Sequence, residues 1–339
     1  MRGRSHARTH ATVPRPPLRT TPRRYALKLN NAILAAPEHV PLYAELVDKF
    51  PVEYIAGGAT QNTVRVAQWM SGTPGFAAYI GSIGADAFGA QLKAAAERDG
   101  VTTYYYTADA PTGTCAVLVH EKERSLVANL AAAEKYAKSH YDSQPIQAVV
   151  DGARVVYSAG FFLTHASETM VAMGKAVAAA RGAKVYAMNL SAPFLCAFFK
   201  EQMHAVLPYA DFVFGNESEA AAFAEANGFA GASVADVALR IAALPKASGA
   251  RARAVVITQG ADATVIAVDG AVTTVTVPPL TPAQIVDTNG AGDAFVGGFL
   301  AFFAKGATLV ECAKAGHWSA AHVLGQSGCK FDSAAKYTA

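Results

Sequence analysis

From about Tyr25 onward, short apolar segments alternate with amphipathic segments of helical length, and this alternation limits the folds available to the chain. Strand-length segments that are apolar throughout are typical of parallel strands covered on both faces. The sequence therefore predicts an α/β fold, a three-layer αβα sandwich around a mostly parallel central sheet. Strands are predicted at residues 52–56, 76–83, 154–158, 184–188, 211–214 and 254–258, and helices at 60–70, 86–98, 167–180, 193–207, 217–226, 234–244, 291–305 and 309–325.

A run of strand candidates without helices interrupts this alternation. Three of them follow one another directly, at residues 102–107, 114–120 and 125–129. This run favours a small β lid, formed by roughly residues 25–56 and 102–132 of a single domain that spans residues 25–335. Farther along, Asp269-Gly270 lies between two strand candidates and favours a tight hairpin turn.

Charge is distributed unevenly along the 339 residues. Residues 1–24 contain seven Arg and no Asp or Glu, so 22 of the 29 basic residues and all 26 acidic residues lie in the rest of the chain. The body therefore lacks the basic surface of a nucleic-acid binder, and no apolar run approaches the roughly 18 residues of a membrane span. The basic tail is either a disordered arm, a targeting segment or a mis-assigned start.

The cysteines indicate the cellular compartment. Cys115, Cys196, Cys312 and Cys329 are scattered and have neither the paired spacing nor the neighbouring His of a zinc site. We therefore expect reduced thiols in a reducing compartment. The predicted location is the cytoplasm, with the nucleus or an organelle as the alternatives.

The segment 287–299 joins a glycine-rich turn to the start of a helix. The backbone N–H groups of Gly290, Ala291 and Gly292 can converge on an anion there, and the helix N-terminus adds about half a positive charge. Asp293 then lies beside that anion, where it can take a proton from a hydroxyl that attacks phosphorus. The segment therefore predicts phosphoryl transfer.

Helix capping is the competing interpretation of the same segment, because small residues and an acid stabilise the first turn of any helix. Gly297 and Gly298 go beyond that need, since a glycine inside a helix costs about 1 kcal/mol relative to alanine. They indicate a backbone packed closely against another element. Other nucleotide-binding patterns, the P-loop among them, do not occur.

Further candidate segments lie where predicted strands end, and each has a purely structural alternative. Residues 57–62 form either a tight capped turn or a seat for a sugar ring. Phe161 and Phe162 are either core residues or a stacking surface for a base. Residues 216–219 have the spacing of a capping box, and their carboxylates could instead organise water around Mg²⁺.

Three more polar positions are ambiguous in the same way. Arg124 precedes a lid strand and is either a solubilising residue or a phosphate ligand. The strand end at residues 258–260 could line a nucleotide groove. His317 is either a satisfied helix residue or a ligand, and its local sequence favours the first.

Taken together, the segments 287–299, 57–70, 159–164, 189–193 and 214–217 resemble the ribokinase/PfkB carbohydrate-kinase superfamily in its adenosine-kinase branch. The resemblance runs from about Tyr25 to Phe331. It implies a ribokinase-like fold and ATP-dependent phosphorylation of the adenosine 5′-hydroxyl, which yields AMP in purine salvage. It also implies Mg²⁺ as a cofactor and a monomeric state, and it leaves a requirement for a monovalent cation such as K⁺ open.

The resemblance also implies residue roles. Asp293 is implied to be the general base, with an anion hole at Gly290, Ala291 and Gly292 and a lid arginine, Arg124, near the phosphates. The residues implied to hold adenosine are Gly57, Gly58, Asn62, Leu126, Leu130 and one of Phe161 and Phe162. Those implied along the ATP groove are Asn216, Thr258, Gly260, Asn289 and His317. Asn216 and Glu219 form the implied Mg²⁺-phosphate motif.

The N-terminal part departs from the family pattern. Relatives begin with a strand that ends in Asn-Pro-Leu-Leu-Asp, whose Asp binds the ribose hydroxyls, whereas residues 1–24 contain no acid. Either the start is mis-assigned or the enzyme is weakened, since losing such a carboxylate costs up to several kcal/mol of binding. Two alternatives to adenosine phosphorylation therefore stay open: another sugar or nucleoside kinase of this fold, and a nucleoside-binding relative without catalysis.

Overall fold

The computed structural model describes residues 24–27, 31–120 and 123–338, apart from the side chains of residues 31, 119, 120, 123 and 124. The strands are β1 (Asn31–Leu34), β2 (Ala78–Gly84), β3 (Thr102–Ala108), β4 (Thr114–His120), β5 (Glu123–Asn129), β6 (Val155–Ala159), β7 (Val185–Asn189), β8 (Phe212–Asn216), β9 (Ala254–Gln259), β10 (Asp262–Val268) and β11 (Ala271–Val275). The α-helices are α1 (Val40–Lys49), α2 (Ala59–Ser71), α3 (Ala87–Arg98), α4 (Lys138–Tyr141), α5 (Gln144–Gly152), α6 (Leu163–Ala179), α7 (Pro193–Phe198), α8 (Lys200–Val206), α9 (Glu217–Ala226), α10 (Val234–Ala242), α11 (Ala291–Ala304) and α12 (Leu309–Leu324).

A six-stranded sheet organises the larger part of the fold. Its strand order is β11-β10-β9-β8-β7-β6, in which β6 to β9 run parallel and β10 and β11 complete an antiparallel edge. One apolar cluster, which includes Met170, Leu195 and Phe223, lies under α6 to α10. A second cluster, which includes Phe295 and Phe299 of α11, covers the opposite face. The predicted three-layer αβα arrangement is therefore confirmed.

Local turn chemistry explains the antiparallel edge. Asp269 has φ 50° and Gly270 has φ 75°, the positive values that a two-residue hairpin turn requires. The hairpin joins β10 to β11 as predicted. The apolar segments 264–268 and 272–277 on either side of the turn predict these two strands to within two residues at each end.

The lid differs from the predicted range. The order β1-β5-β4 forms a three-stranded sheet, and its buried residues Leu118 and Val127 share an apolar cluster with Leu42 of α1. The strand β3 lies outside it and pairs in parallel with β2, after a crossover through α3. The range 102–132 was therefore too wide at its start, because β3 completes a βαβ unit rather than a meander.

Two other predicted elements are wrong. Residues 52–56 are irregular, with Val52 and Tyr54 exposed, and they pair with no strand in the described part of the chain. The helix predicted at 193–207 is two helices, because Phe199 departs from helical geometry with φ −116° and ψ 33°. Among the described residues, no helix is both long and apolar enough to cross a membrane.

The predicted single central sheet is divided. The strand β6 ends the six-stranded sheet, and β2 and β3 form a separate pair; within the described ranges no strand joins the two sheets. Residues of β2 and β6 line the same cavity of about 2920 Å³. The apolar residues Val155 and Val156 of β6 are accordingly only half-buried, whereas Val185 and Ala187 of β7 are fully buried.

Candidate active site

The cavity gathers residues that are far apart in sequence. It is lined by the start of α2, the carboxyl ends of β6, β8 and β9, the lid strands and the start of α11. Ligands of open α/β folds bind at this end of the strands. The cavity is therefore the candidate active site.

The turn at the start of α11 is built for exposed N–H groups. Gly290 is the N-cap residue and has φ 81°, a left-handed conformation that favours glycine. The first helical hydrogen bond runs from Ala294 N to Gly290 O at 2.8 Å, so the N–H groups of Ala291, Gly292 and Asp293 precede the helical ladder. Only Ala291 N has a nearby acceptor among the described backbone groups, Thr288 O at 3.4 Å.

Asp287 holds this turn from outside the helix. Its Oδ1 accepts from Asn289 N at 2.8 Å, and its Oδ2 accepts from Gly328 N at 2.9 Å. One carboxylate therefore links the turn to a segment near the C-terminus. The motif contains Asp287, but the sequence did not reveal Gly328 as its partner.

Asp293 lies on the cavity wall and is half-buried. Its Oδ2 accepts a hydrogen bond of 2.9 Å from Asn62 Nδ2, which reaches it from the first turn of α2. Burial raises the pKa of the Asp293 carboxyl to about 7, and the hydrogen bond from Asn62 opposes that rise. A carboxylate with a pKa near the working pH is suited to general-base catalysis.

This raised pKa predicts a pH profile. The base must be ionised, and its ionised form is lost as the pH falls through about 7. We expect kcat/KM for adenosine to fall about tenfold per pH unit well below that pKa and to level off above it, because kcat/KM reports the ionisation of the enzyme before the acceptor binds. A profile of kcat/KM for adenosine against pH at saturating ATP measures this. A rate that is constant from pH 5 to 8 would rule out a base of this pKa.

The start of α2, where the sequence predicts a seat for a sugar ring, lines one part of the cavity. Gly58 has φ 98° and caps the helix, and Thr60 Oγ1 accepts from Ala159 N of β6 at 3.1 Å. Gln61 Nε2, Asn62 Oδ1 and the Tyr157 hydroxyl are buried and have no hydrogen-bond partner among the described residues. Buried polar atoms without partners are costly, so these three are candidates to bind a polar ligand.

Sequence reasoning missed two of these three groups. Gln61 is held by a hydrogen bond from the Tyr105 hydroxyl to its Oε1. Tyr157 lies in the middle of β6, and burial raises the pKa of its phenol. Neither type of residue is unusual on a strand or helix, and the sequence carried no signal that would have distinguished them.

The aromatic pair after β6 faces two environments. Phe161 contacts Phe194 of α7, with ring centroids 6.0 Å apart. Phe162 contacts Tyr136 at 5.4 Å and His165 at 5.2 Å, both in edge-to-face geometry. Tyr136 ends the short 3₁₀ helix that follows the lid strands. Both phenylalanines line the cavity together with Leu126 and Leu130, and Phe162 is the one that contacts Tyr136, just after the lid strands.

Residues 216–219 form the capping box that local sequence favours. Asn216 N and Nδ2 each donate to the Glu219 carboxylate at 3.0 Å, and Asn216 Oδ1 accepts from Glu219 N at 2.9 Å. Burial raises the pKa of Glu219 to about 7, with smaller contributions from the charges of Glu217 and Asp293. The box lies on the cavity wall.

These groups bear on the implied Mg²⁺. Within the described ranges, no cluster of three or more His, Cys, Asp or Glu side chains could hold a metal ion. The Glu219 carboxylate already accepts hydrogen bonds from Asn216, and Glu217 is an exposed carboxylate on the cavity wall. This donor set fits a magnesium ion that keeps most of its waters and its phosphate ligands.

The remaining predicted ATP residues divide. Thr258, Gly260 and Asn289 line the cavity together with Asn216. His317 lies away from the lining; it is buried and its Nε2 pairs with Thr264 Oγ1 at 2.8 Å. A strand of the sheet therefore supplies a partner for His317 Nε2, whereas its Nδ1 is buried without a hydrogen-bond partner among the described residues, so a role in the ATP groove stays a prediction.

Three predicted positions have a separate status. Ala291 is not among the residues that line the cavity, whereas Gly290, Gly292 and Asp293 are. The side chain of Arg124 lies outside the described residues, and so do residues 1–23, the part of the chain that corresponds in position to the family's ribose-binding strand. Gly57, like Gly58, lines the cavity just before α2.

Comparisons with known proteins agree with this geometry. The family described as pfkB family carbohydrate kinase matches residues 25–336. Adenosine kinase 2 of Arabidopsis thaliana is 50% identical over 309 residues, 91% of this chain and 89% of the relative. Adenosine kinase of Dictyostelium discoideum is 42% identical, over 90% of this chain and 89% of the relative.

Solved structures give the same result. Adenosine kinase of Anopheles gambiae, in complex with a di(adenosine) tetraphosphate, superposes with a TM-score of 0.89 and 43% identity over 92% of each chain. Adenosine kinase of Schistosoma mansoni, in complex with 2-fluoroadenosine, has a TM-score of 0.89 and 36% identity over the same shares. The chain therefore belongs to the pfkB family of carbohydrate kinases.

Proposed function

We propose that this enzyme transfers the γ-phosphoryl group of ATP to the 5′-hydroxyl of adenosine, giving ADP and AMP. The observation that carries the proposal is the carboxylate of Asp293, half-buried on the cavity wall and held by Asn62 at the N-terminus of α11. The relatives named adenosine kinase support adenosine as the acceptor. The phosphoryl donor is ATP, and AMP formation places the enzyme in purine salvage.

The residues divide the work by position. The 5′-hydroxyl oxygen attacks the γ-phosphorus of ATP while Asp293 takes the proton of that hydroxyl. The bond between the γ-phosphorus and the β–γ bridging oxygen breaks. The N–H groups at the start of α11 stabilise the charge that develops on the transferring phosphoryl oxygens. Asn62 holds the Asp293 carboxylate and presents its unpartnered Oδ1 to the acceptor. Mg²⁺, when bound with the phosphates near Asn216 and Glu219, neutralises part of their charge.

The aromatic pair offers a test of where the base binds. We expect Phe162→Ala to raise KM for adenosine about tenfold or more, because stacking of a base on an aromatic ring contributes roughly 1–3 kcal/mol. Phe161→Ala is the matched control: its ring packs on Phe194, so its loss lowers the melting temperature with little change in KM. Steady-state kinetics and thermal unfolding of both variants measure the difference. Equal effects on KM would contradict the assignment of Phe162.

Acceptor choice is tested with a coupled ADP-release assay on adenosine, inosine, ribose and fructose. We expect turnover with adenosine and little with the free sugars, since a sugar leaves the surface of Phe162 without a partner. Turnover of the free sugars without turnover of adenosine would show that the substrate is a sugar and would contradict the proposal. Adenosine binding without turnover would support a non-catalytic relative instead.

The proposal includes a monomer in the cytoplasm. The support is the resemblance to the adenosine-kinase branch and the absence of paired cysteine motifs in the sequence. Light scattering coupled to size exclusion tests the first part, and a mass near 35.3 kDa is the expected result. Imaging of the tagged full-length protein tests the second part.

A further inference from the structure

A segment near the C-terminus forms the back wall of the turn that begins α11. Gly328 N donates to Asp287 Oδ2 at 2.9 Å. The next residue, Cys329, is 3% exposed and packs on Gly290: a Cβ at position 290 would lie 2.8 Å from the Cys329 Cβ. The position of residues 328–329 therefore limits the position of the turn.

A buried arginine holds this back wall. Arg65 is 5% exposed, and its Nη1 donates to the backbone oxygen of Cys329 at 3.2 Å. Its Nε donates to Asp99 Oδ2 at 2.6 Å, and its guanidinium lies over the Phe331 ring, 5.5 Å from the centroid. Three contacts on different sides fix the plane of the guanidinium, which a lysine ammonium cannot reproduce.

The same helix carries both ends of this arrangement. Asn62 and Arg65 are three residues apart on α2, so they lie on neighbouring positions of one helix surface. Asn62 holds the Asp293 carboxylate, and Arg65 holds the segment behind Gly290. Helix α2 therefore contacts the first turn of α11 at the Asp293 carboxylate through Asn62, and holds the segment behind Gly290 through Arg65.

We propose that Arg65 is a positioning residue for the anion-binding turn at residues 290–292. Through the Cys329 carbonyl it keeps Gly290 in the left-handed conformation that directs the following N–H groups into the cavity. The proposal rests on phosphoryl transfer at this turn, the function proposed above. It assigns to Arg65 no contact with either substrate.

The test compares Arg65→Lys with a matched control, Arg253→Lys. Arg253 is also a buried arginine, 1% exposed, but it donates only to backbone carbonyls remote from the cavity, among them Leu207 and Ile241. Both substitutions should lower the melting temperature. Only Arg65→Lys should lower kcat, about tenfold or more, with KM for adenosine nearly unchanged.

Hydrogen–deuterium exchange separates this proposal from the proposed function. We expect Arg65→Lys to speed amide exchange in peptides that cover residues 287–295, and Arg253→Lys to leave those peptides unchanged. Faster exchange in a protein that does not phosphorylate adenosine would retain the positioning role and reject the substrate. An active parent enzyme whose Arg65→Lys variant shows neither effect would overturn the positioning role.

A second variant covers the case in which Arg65→Lys does not fold. Asp99→Asn weakens the bond to Nε and leaves the bond to the Cys329 carbonyl in place. It should lower kcat and speed exchange at residues 287–295 in the same direction, by less. Unchanged kcat and exchange in this variant, with a lowered melting temperature, would assign the arginine a purely structural role.

Discussion

Asp293→Asn should lower kcat by about 10²–10⁴-fold, the contribution typical of a general base, and leave adenosine affinity within a few-fold. The amide has nearly the shape of the carboxylate and can still accept the hydrogen bond from Asn62. It cannot take the proton of the 5′-hydroxyl. Single-turnover kinetics and calorimetric titration of adenosine measure the two quantities. Full retained activity would exclude Asp293 as the base.

The same variant has a stability signature with a defined sign. Burial raises the pKa of Asp293 from 3.8 to about 7, so between these values the unfolded chain loses a proton that the folded chain keeps. The carboxyl therefore costs folding free energy increasingly as the pH rises from about 4 to 7, and the cost is constant above 7. Asp293→Asn should raise the melting temperature at pH 8 and have little effect near pH 4. A variant less stable than the parent at pH 8 would contradict the raised pKa.

Gly290→Ala should lower kcat by about 10²–10³-fold, the range seen when one oxyanion donor is removed. Alanine is strained at φ 81°, and its Cβ would lie 2.8 Å from the Cβ of Cys329, so the turn must move. Movement of the turn takes its N–H groups out of line with the phosphoryl oxygens. Steady-state kinetics with ATP and adenosine measures the loss.

Gly231→Ala is the matched control for backbone strain. Gly231 has φ 79° and nothing within 4 Å of an added Cβ, and it lies outside the cavity lining. Gly231→Ala should cost about 1–2 kcal/mol of stability, as alanine does in the left-handed region, and Gly290→Ala should cost more because its Cβ also meets Cys329. Only Gly290→Ala should lower kcat. Equal kcat in the two variants would show that the turn does not take part in the chemistry.

The sequence predicted the layers well because local patterns determine them. Continuous apolar strands such as β7 and β8 predict a parallel sheet that is covered on both faces, and Asp269-Gly270 predicts a hairpin. Residues 52–56 show the limit of this reasoning: they alternate like a strand, but in the described part of the chain no neighbour pairs with them. The sequence of β3 likewise does not show which strand it pairs with, and in the structure it pairs with β2 rather than with the lid strands.

The parts of the candidate site that lie in one contiguous motif could be predicted, and the contacts between distant segments could not. The residue types of the segment 287–299 alone predicted a base beside an anion-binding turn. The Asn62–Asp293 bond spans 231 positions and the Arg65–Cys329 bond spans 264, so no local pattern contains them. The hydrogen bond between His317 Nε2 and Thr264 Oγ1 is another such contact, since it follows only from the packing of β10 against α12.

The product of the reaction is the most direct evidence for or against the proposed chemistry. The full-length protein is incubated with ATP, Mg²⁺ and adenosine, and the phosphorus-containing products are followed by ³¹P NMR. Equal amounts of ADP and 5′-AMP should form, and the Asp293→Asn protein should form both at least about 100-fold more slowly. ADP without AMP, or a phosphate on any atom other than the 5′-oxygen, would contradict transfer from ATP to the adenosine 5′-hydroxyl.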